Sequence, residues 1–208
     1  MVLEGKSEAG LDVKVTFKGK PALFNFCDND KSEVKRPWST LTENYKLNFT
    51  ANTAGIYFRD DPSIVENLNT YTLWITDLDM DKGDYFQFQF MTSADNIADG
   101  TYTVATTFAD NTILPGWLGY GGDICGSWFA DMNTAQEGVA TVVAPVTEGT
   151  FTVSTEGDLR KIVFNLKDDN GKTITGEFKG LLVDGDEMHG QAPQKTKIAK
   201  KPRLSVKK

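Results

Sequence analysis

Apolar and polar residues alternate with a period of two along most of this chain, which constrains its fold more than any other feature. Residues 85–91 show it best, because three Phe side chains share one face and Gln87 and Gln89 share the other. One apolar and one polar face are typical of an antiparallel strand with a buried side and a wet side. No segment longer than about ten residues has convincing helical periodicity.

Turn residues divide the alternating pattern into short strands. Asn170-Gly171 separates the last two and predicts a hairpin, and short helical turns are expected at 63–69 and 131–137. About 11 strands in meander or hairpin order predict an all-β fold, an antiparallel β-sandwich with a calycin-like β-barrel as the alternative. The predicted strands are 11–17, 22–26, 45–50, 56–59, 71–76, 85–91, 101–108, 139–144, 150–155, 161–167 and 173–178.

Charge separates the chain into two parts. Residues 195–208 hold seven of the 22 basic residues and no acidic one. The other 15 basic and 29 acidic residues give residues 1–194 a formal charge of −14, although the whole chain carries −7. We predict a single all-β domain over 1–194 and a basic, mobile tail over 195–208. Nucleic acid is not an expected partner, because its binding depends on neutralising phosphates.

The residue inventory excludes several classes of protein. No apolar run approaches the roughly 20 residues that span a bilayer, and residues 1–10 lack the pattern of a signal peptide. Ser-His-Asp or Cys-His catalysis would have to use His189, the single histidine. Cys27, Cys125 and His189 are too few for a closed zinc site of Cys and His. Two buried free thiols are expected, with one disulfide as the alternative.

An acidic loop is the candidate metal site. Asp77, Asp79 and Asp81 alternate in a tight turn, and carboxylates in this arrangement can converge on a hard cation such as Ca²⁺. The loop is not an EF-hand, since Lys82 and Phe88 occupy the positions of the required Gly and Glu. The alternative is a solvated hairpin turn, because Asp and Gly are ordinary turn residues.

Residues 113–129 form the longest non-alternating stretch and the one richest in Gly and aromatic residues. The rings of Trp117, Tyr120 and Trp128 could stack on a sugar, with Asp123 bonding its hydroxyls, and we predict these four as ligand-binding residues. The alternative is that the rings fold back and plug one end of the sandwich, as large aromatic residues are commonly buried.

Similar turn-and-strand motifs lie at 99–104, 115–116, 126–128, 148–153 and 168–180. The layout that they form over residues 70–183 resembles the all-β secreted or surface lipoproteins of gut Bacteroidetes. The resemblance implies an extracytoplasmic location, in the periplasm or at the cell surface, and a role in glycan binding or adhesion. It supplies no catalytic residues. This chain departs from the family in lacking a lipobox cysteine and a signal peptide, so membrane contact is expected only through a lipid anchor that is missing here.

These observations favour a non-catalytic cell-envelope protein that binds a glycan or a surface protein through the aromatic loop. Two alternatives stay open. One is a structural or adhesion subunit without a small-molecule site, presenting an unpaired strand edge. The other is a carboxylate-based glycoside hydrolase, which would need an acidic cleft containing a carboxyl group with a raised pKa.

Overall fold

The computed structural model describes residues 36–60, 65–119 and 122–185, together with the backbone of 2–6, 12–16 and 203–204. Strands dominate these residues, which confirms the all-β prediction. The strands are β1 (Val2–Lys6), β2 (Asp12–Thr16), β3 (Tyr45–Lys46), β4 (Thr53–Asp60), β5 (Asn69–Asp77), β6 (Asp84–Thr92), β7 (Gly100–Val104), β8 (Thr112–Ile113), β9 (Trp117–Leu118), β10 (Ile124–Cys125), β11 (Trp128–Asp131), β12 (Val139–Ala140), β13 (Val142–Pro145), β14 (Glu148–Glu156), β15 (Leu159–Lys167), β16 (Thr173–Gly180), β17 (Leu182–Asp184) and β18 (Arg203–Leu204).

Most strands belong to one curled sheet, in the order β17-β4-β5-β6-β8-β7-β14-β15-β16-β3, with β11 beside β6 and β13 beside β11. The meanders β4-β5-β6 and β14-β15-β16 follow the predicted antiparallel order. The pairs β7–β8, β3–β16 and β4–β17 are parallel, so the sheet is mixed and the prediction of a purely antiparallel sheet is wrong. These parallel pairs join only two or three residues each, which is too short to leave a pattern in the sequence.

Local predictions had different outcomes. A 3-10 turn at Met132–Thr134, capped by the Asp131 carboxylate, confirms the short helical element predicted there. In the described part of 63–69 the chain forms a tight turn instead, closed by a hydrogen bond from the Leu68 N–H to the Val65 carbonyl. The hairpin around Asn170-Gly171 joins β15 and β16 as predicted. The strand predicted over 22–26 lies outside the described residues.

Aromatic side chains fill the inside of the curled sheet. The three Phe residues of β6 are fully buried, and Phe86 stacks on Phe164 with ring centroids 5.1 Å apart. Phe88 meets Phe151 edge to face, also at 5.1 Å. Burial of rings this large supplies much of the hydrophobic stabilisation of a small domain. The alternate side chains of β4, β5 and β6 therefore point to the outer face.

Two peripheral features complete the described structure. β1 and β2 form a separate hairpin, and β18, from the predicted basic tail, pairs in parallel with β12. The rest of 195–208, like Cys27 and His189, lies outside the described residues. In the part of the chain that the structure describes, no helix has the length and apolar character needed to cross a membrane.

Candidate functional site

The outer face of β4, β5 and β6 carries rows of side chains aligned by strand register. Phe58, Thr72 and Gln89 are paired across the three strands. Trp74 is paired with Gln87 in the neighbouring row. These residues alternate with the buried core residues of the same strands, so core packing on one face fixes their positions on the other.

A split in the sheet borders these rows. β6 pairs with β11 over Asp84–Gln87 and with β8 over Phe90–Met91, so it changes neighbour near Gln89. The fully buried Ser127 bridges the split, because its Oγ accepts a hydrogen bond of 3.1 Å from the Gln89 N–H. The Leu114 N–H donates to the Gln89 carbonyl at 2.8 Å. Residues 114–119 and 122–127 leave the sheet at this split, and Trp117 and Ile124 to Gly126 line a groove with side chains of its outer face. We call these two segments the loop.

Two segments of this loop cross closely, and glycine makes the crossing possible. Gly126 has φ +69°, and a Cβ there would collide with the Pro115 carbonyl oxygen and come within 2.6 Å of Cζ3 of Trp117. The Trp117 ring therefore packs directly on Gly126. The Gln87 side chain ties the loop to the sheet through a hydrogen bond from Nε2 to the Gly126 carbonyl at 3.1 Å.

The loop and the sheet enclose an open groove of about 620 Å³, within the roughly 300–1,000 Å³ of small-molecule sites. Its lining combines three aromatic rings with two amides, a carboxyl group, a hydroxyl and a thiol. We call the residues from β4–β6 the groove floor and those from the loop the groove wall. The floor is Phe58, Asp60, Thr72, Trp74, Gln87 and Gln89, and the wall is Trp117, Ile124, Cys125 and Gly126.

Hydrogen bonds orient the polar side chains of the floor. Thr72 Oγ1 and Gln89 Nε2 both donate to Asp60 Oδ2, each at 3.4 Å. A carboxylate oxygen can only accept hydrogen bonds. The same holds for the Gly126 carbonyl oxygen, which accepts the hydrogen bond from Gln87 Nε2. The amide nitrogens of both Gln side chains must therefore face protein oxygens, which fixes the direction of each amide oxygen.

The structure separates those predicted ligand-binding residues that it describes, Trp117, Asp123 and Trp128. Trp117 is half-buried on the groove wall, whereas Asp123 is exposed in the β9–β10 turn and does not line the groove. Trp128 is fully buried beside Trp38 and Leu118, and its Nε1 donates to the Cys125 carbonyl at 2.8 Å. The predicted stacking role of Trp128 is incompatible with this burial, and the alternative of a plugging ring describes it. The predicted residue Tyr120 lies outside the described residues.

Most of the groove floor was missed by the sequence prediction. Gln87 and Gln89 were recognised only as the wet side of their strand. Trp74 and Phe58, whose rings meet edge to face at 5.0 Å, lie within the predicted strands 71–76 and 56–59 and are not among the predicted site residues. The sequence signal that could have indicated the groove floor is the pair of Gln residues on the strand face opposite three Phe residues. Amide side chains on the outer face of a strand can form hydrogen bonds with a ligand. Cys125, a free half-buried thiol, also lines the groove.

The predicted calcium ligands do come together. Carboxylate oxygens of Asp77, Asp79 and Asp81 lie within 4.8 Å of one another, and oxygen donors suit Ca²⁺. Asp77 is buried and already accepts hydrogen bonds from the Thr50 hydroxyl and the Asp79 N–H. Burial acts to raise the pKa of Asp77, but these hydrogen bonds outweigh it and lower that pKa. The loop is thus stabilised by its own hydrogen bonds, and calcium binding stays a prediction.

A second carboxyl cluster lies where β6 and β11 begin their pairing. Asp84 is 1% exposed, accepts a hydrogen bond of 2.9 Å from the Tyr45 hydroxyl and another from the Asn48 N–H, and stands opposite Asp131. Burial, with a smaller contribution from the Asp131 charge, raises the pKa of Asp84 to about 6 against the hydrogen bonds that lower it. Asp84 does not line the groove. Asp84 links β6 to β3 and to Asn48 just after it.

Comparison with known proteins gives no relative, since no protein-family model, curated protein or solved structure matches this chain.

Proposed function

We propose that this protein is a non-catalytic binding protein of the cell envelope that holds a glycan chain in the groove. The observation that carries the proposal is the convergence of Phe58, Trp74 and Trp117 with the amides of Gln87 and Gln89 around one open groove. The resemblance to surface lipoproteins supports the location and the class of ligand.

Sugar chemistry fits this lining. A pyranose ring offers a face of C–H groups to an aromatic ring and a rim of hydroxyl groups to amides and carboxylates. The groove combines both kinds of partner in one place, and a site of this size holds a few sugar units. The rigid sheet supplies the floor and the loop supplies the wall, an arrangement common to binding sites.

The groove gives little support to hydrolysis. Glycosidases use two carboxyl groups about 5–5.5 Å or 6.5–9.5 Å apart on either side of the scissile bond. Among the described lining residues, Asp60 is the single carboxyl group. The carboxyl group with a strongly raised pKa, Asp84, is buried outside the groove. A binding role therefore explains the lining better than the hydrolase alternative.

We also propose that the curled sheet is a calycin-like barrel rather than a sandwich. β16 leads directly into β17, which pairs with β4, and the Gly55 N–H donates to the Leu181 carbonyl at 3.0 Å. Residues from both ends of the strand order, including Tyr57 and Phe178, pack in one core. These contacts favour a closed sheet, with its interior filled and its ligand site on the outer face.

Titration with soluble polysaccharides tests the binding proposal. We expect at least one neutral or cationic glycan to bind, and Trp74→Ala and Trp117→Ala each to weaken that binding by about 1–3 kcal/mol, as for stacked aromatic anchors. Phe108→Ala is the matched control, because Phe108 is 56% exposed and lies outside the groove. Thermal unfolding of each variant separates lost binding from lost structure. Failure of every glycan to bind, or wild-type binding by both Trp variants, would refute the proposal.

A further inference from the structure

The short strand β12 has one edge that is closed locally and one that is open to a partner strand. The Val139 N–H donates to the Gln136 carbonyl, and the Val139 carbonyl accepts from the Gln136 N–H, each at 2.9 Å. Main-chain groups of successive strand residues point to opposite sides, so those of Ala140 face the other edge. Ala140 is fully buried, and a buried N–H or carbonyl group rarely lacks a hydrogen-bond partner. This second edge of β12 therefore needs a partner.

The C-terminal segment supplies that partner. β18 pairs with β12 in parallel, with Arg203 opposite Val139 and Leu204 opposite Ala140. Pro202, the residue before β18, has no N–H to donate, which is compatible with a strand that begins at Arg203. A ladder of two residues is weak by itself, because each of its hydrogen bonds replaces one to water. A second interaction is needed to hold the segment in place.

Acidic side chains lie close to β12. Glu137 is exposed in the turn that leads into the strand. The acidic loop that contains Asp79 and Asp81 is packed beside this turn, because Met80 contacts the small hydrophobic cluster to which Ala140 belongs. Both of these Asp residues are exposed. The open edge of β12 therefore lies next to several carboxylates.

Basic residues are scarce in this region and abundant in the tail. The segments 77–84 and 131–141 contain six carboxyl groups and one lysine, Lys82, whose Nζ is 3.8 Å from a carboxylate oxygen of Asp79. Residues 195–208 have the opposite composition, with seven basic residues and no acidic one. β18 joins these two parts of the chain, and opposite charges brought together in this way attract and favour association.

We propose that the open edge of β12 and the carboxylates beside it form a docking site for a basic extended segment, and that residues 195–208 of the same chain occupy it. Strand pairing sets the register, and charge selects a basic occupant. The tail is thus held on the body of the protein, in contrast to the mobile tail expected from the sequence. High salt weakens the docking, because it screens exposed charges. This inference is independent of the glycan function.

Disulfide trapping in the full chain tests the docking. Val139→Cys combined with Arg203→Cys, in a Cys27→Ser and Cys125→Ser background, places the two thiols on directly paired residues. Paired strands lie about 4.7–4.9 Å apart, within the Cα separation that a disulfide spans. Mild oxidation should join residues 139 and 203 within one chain in most molecules. Non-reducing electrophoresis shows whether the product is a monomer, and mass spectrometry of the linked peptides identifies the bond.

Asp158→Cys combined with Arg203→Cys is the matched control, because Asp158 lies in the exposed turn between β14 and β15. Its disulfide should form at least roughly tenfold more slowly, since an undocked site meets the tail only in random encounters. Raising NaCl from about 0.05 M to about 1 M should slow the Val139 pair severalfold and leave the control rate nearly unchanged. Glu137→Gln should slow the Val139 pair at low salt, whereas Asp158→Asn, an equal change in charge, should not. Thermal unfolding shows whether each variant is folded.

Each outcome bears on one part of the proposal. Equal rates for the Val139 and Asp158 pairs at low salt would refute the docking. Dimers joined through residues 139 and 203 would show that the tail of a second copy occupies the edge, which would overturn the assignment to the same chain. Fast trapping within one chain that neither salt nor Glu137→Gln changes would refute the role of charge.

Discussion

Gln87 donates a hydrogen bond from Nε2 to the carbonyl oxygen of Gly126 at 3.1 Å, which fastens the loop to the centre of β6. The same Gln side chain stands in register with Trp74 on one side and Trp128 on the other. Trp128 is completely buried, whereas Trp74 is part of the groove lining. The contact between Gln87 and Gly126 thus lies between the buried ring of Trp128 and the ring of Trp74, which lines the open groove.

Substitution of Gly126 tests whether the close crossing builds the groove wall. Gly126→Ala should lower the free energy of unfolding by about 2–4 kcal/mol, because a Cβ at φ +69° would strike the Pro115 carbonyl and the Trp117 ring. Gly157→Ala is the matched control, with φ +66° and no atom within 4 Å of the added Cβ, and should cost about 1 kcal/mol. Urea unfolding measures both. Equal losses would mean that backbone conformation, not crowding, requires glycine at position 126.

The two loop tryptophans should differ in what they support. Trp128→Ala should lower the free energy of unfolding by about 3–5 kcal/mol, since its ring is fully buried in a cluster with Trp38 and Leu118. Trp117→Ala should cost less stability, because that ring is half-buried, and should reduce glycan affinity. Urea unfolding and glycan titration on the same preparations separate the two effects. A stable Trp128→Ala protein that has lost only its affinity would contradict the plug assignment.

Local features of the sequence were predictable, whereas the assembly of the site was not. Alternation places Phe86 and Gln87 on opposite faces, because side chains of a strand alternate whatever its neighbours are. The expectation that Gln87 is wet is wrong, since Gln87 is only 7% exposed and its amide is bonded to Gly126. Alternation says nothing about which strands are neighbours, so the split of β6 between β8 and β11 leaves no periodic signal. Trp117 and Trp128 belong to one Gly-rich stretch, and their different burial depends on tertiary contacts such as that of Gly126 with Gln87.

Protonation of Asp84 should make stability depend on pH. Its pKa is about 6 in the folded protein, above the ordinary value of 3.8 for an aspartate, so the native state favours the protonated form. The contribution of Asp84 to stability is fully present below pH 3.8 and is lost as the pH rises through about 6. The difference in unfolding free energy between the wild type and Asp84→Asn should therefore fall by roughly 2–3 kcal/mol between pH 4 and pH 7.

Urea unfolding at half-unit pH steps measures this difference. Asp131→Asn should flatten the dependence, because removal of the neighbouring charge lowers the pKa of Asp84. Asp158→Asn, in an exposed turn, should retain the wild-type pH dependence. A constant difference between wild type and Asp84→Asn from pH 4 to 7 would show that the pKa of Asp84 is the same in both states.

The hydroxyls of Tyr85 and Tyr45 should respond oppositely to removal. The Tyr85 hydroxyl is buried and has no hydrogen-bond partner among the described residues, so Tyr85→Phe should leave stability unchanged or raise it by up to about 1 kcal/mol. Tyr45→Phe, the matched comparison, removes the 2.9 Å hydrogen bond to Asp84 and should cost about 1–2 kcal/mol. Thermal and urea unfolding measure both. A large loss in Tyr85→Phe would mean that its hydroxyl has a partner.

The reaction rate of the Cys125 thiol can report whether a ligand occupies the groove. Its thiol is free, half-buried and part of the groove wall, so a bound chain should shield it from alkylation. In a Cys27→Ser background, where Cys125 is the one remaining cysteine, the rate of reaction with N-ethylmaleimide at pH 7 should fall in proportion to occupancy by the β-1,4-linked glucose hexamer. The concentration that halves the rate should match the calorimetric Kd. Trp74→Ala should need a correspondingly higher concentration, because the ligand loses a stacking partner while the thiol stays in place. An unchanged rate at a saturating concentration of hexamer would place the bound glycan outside the groove.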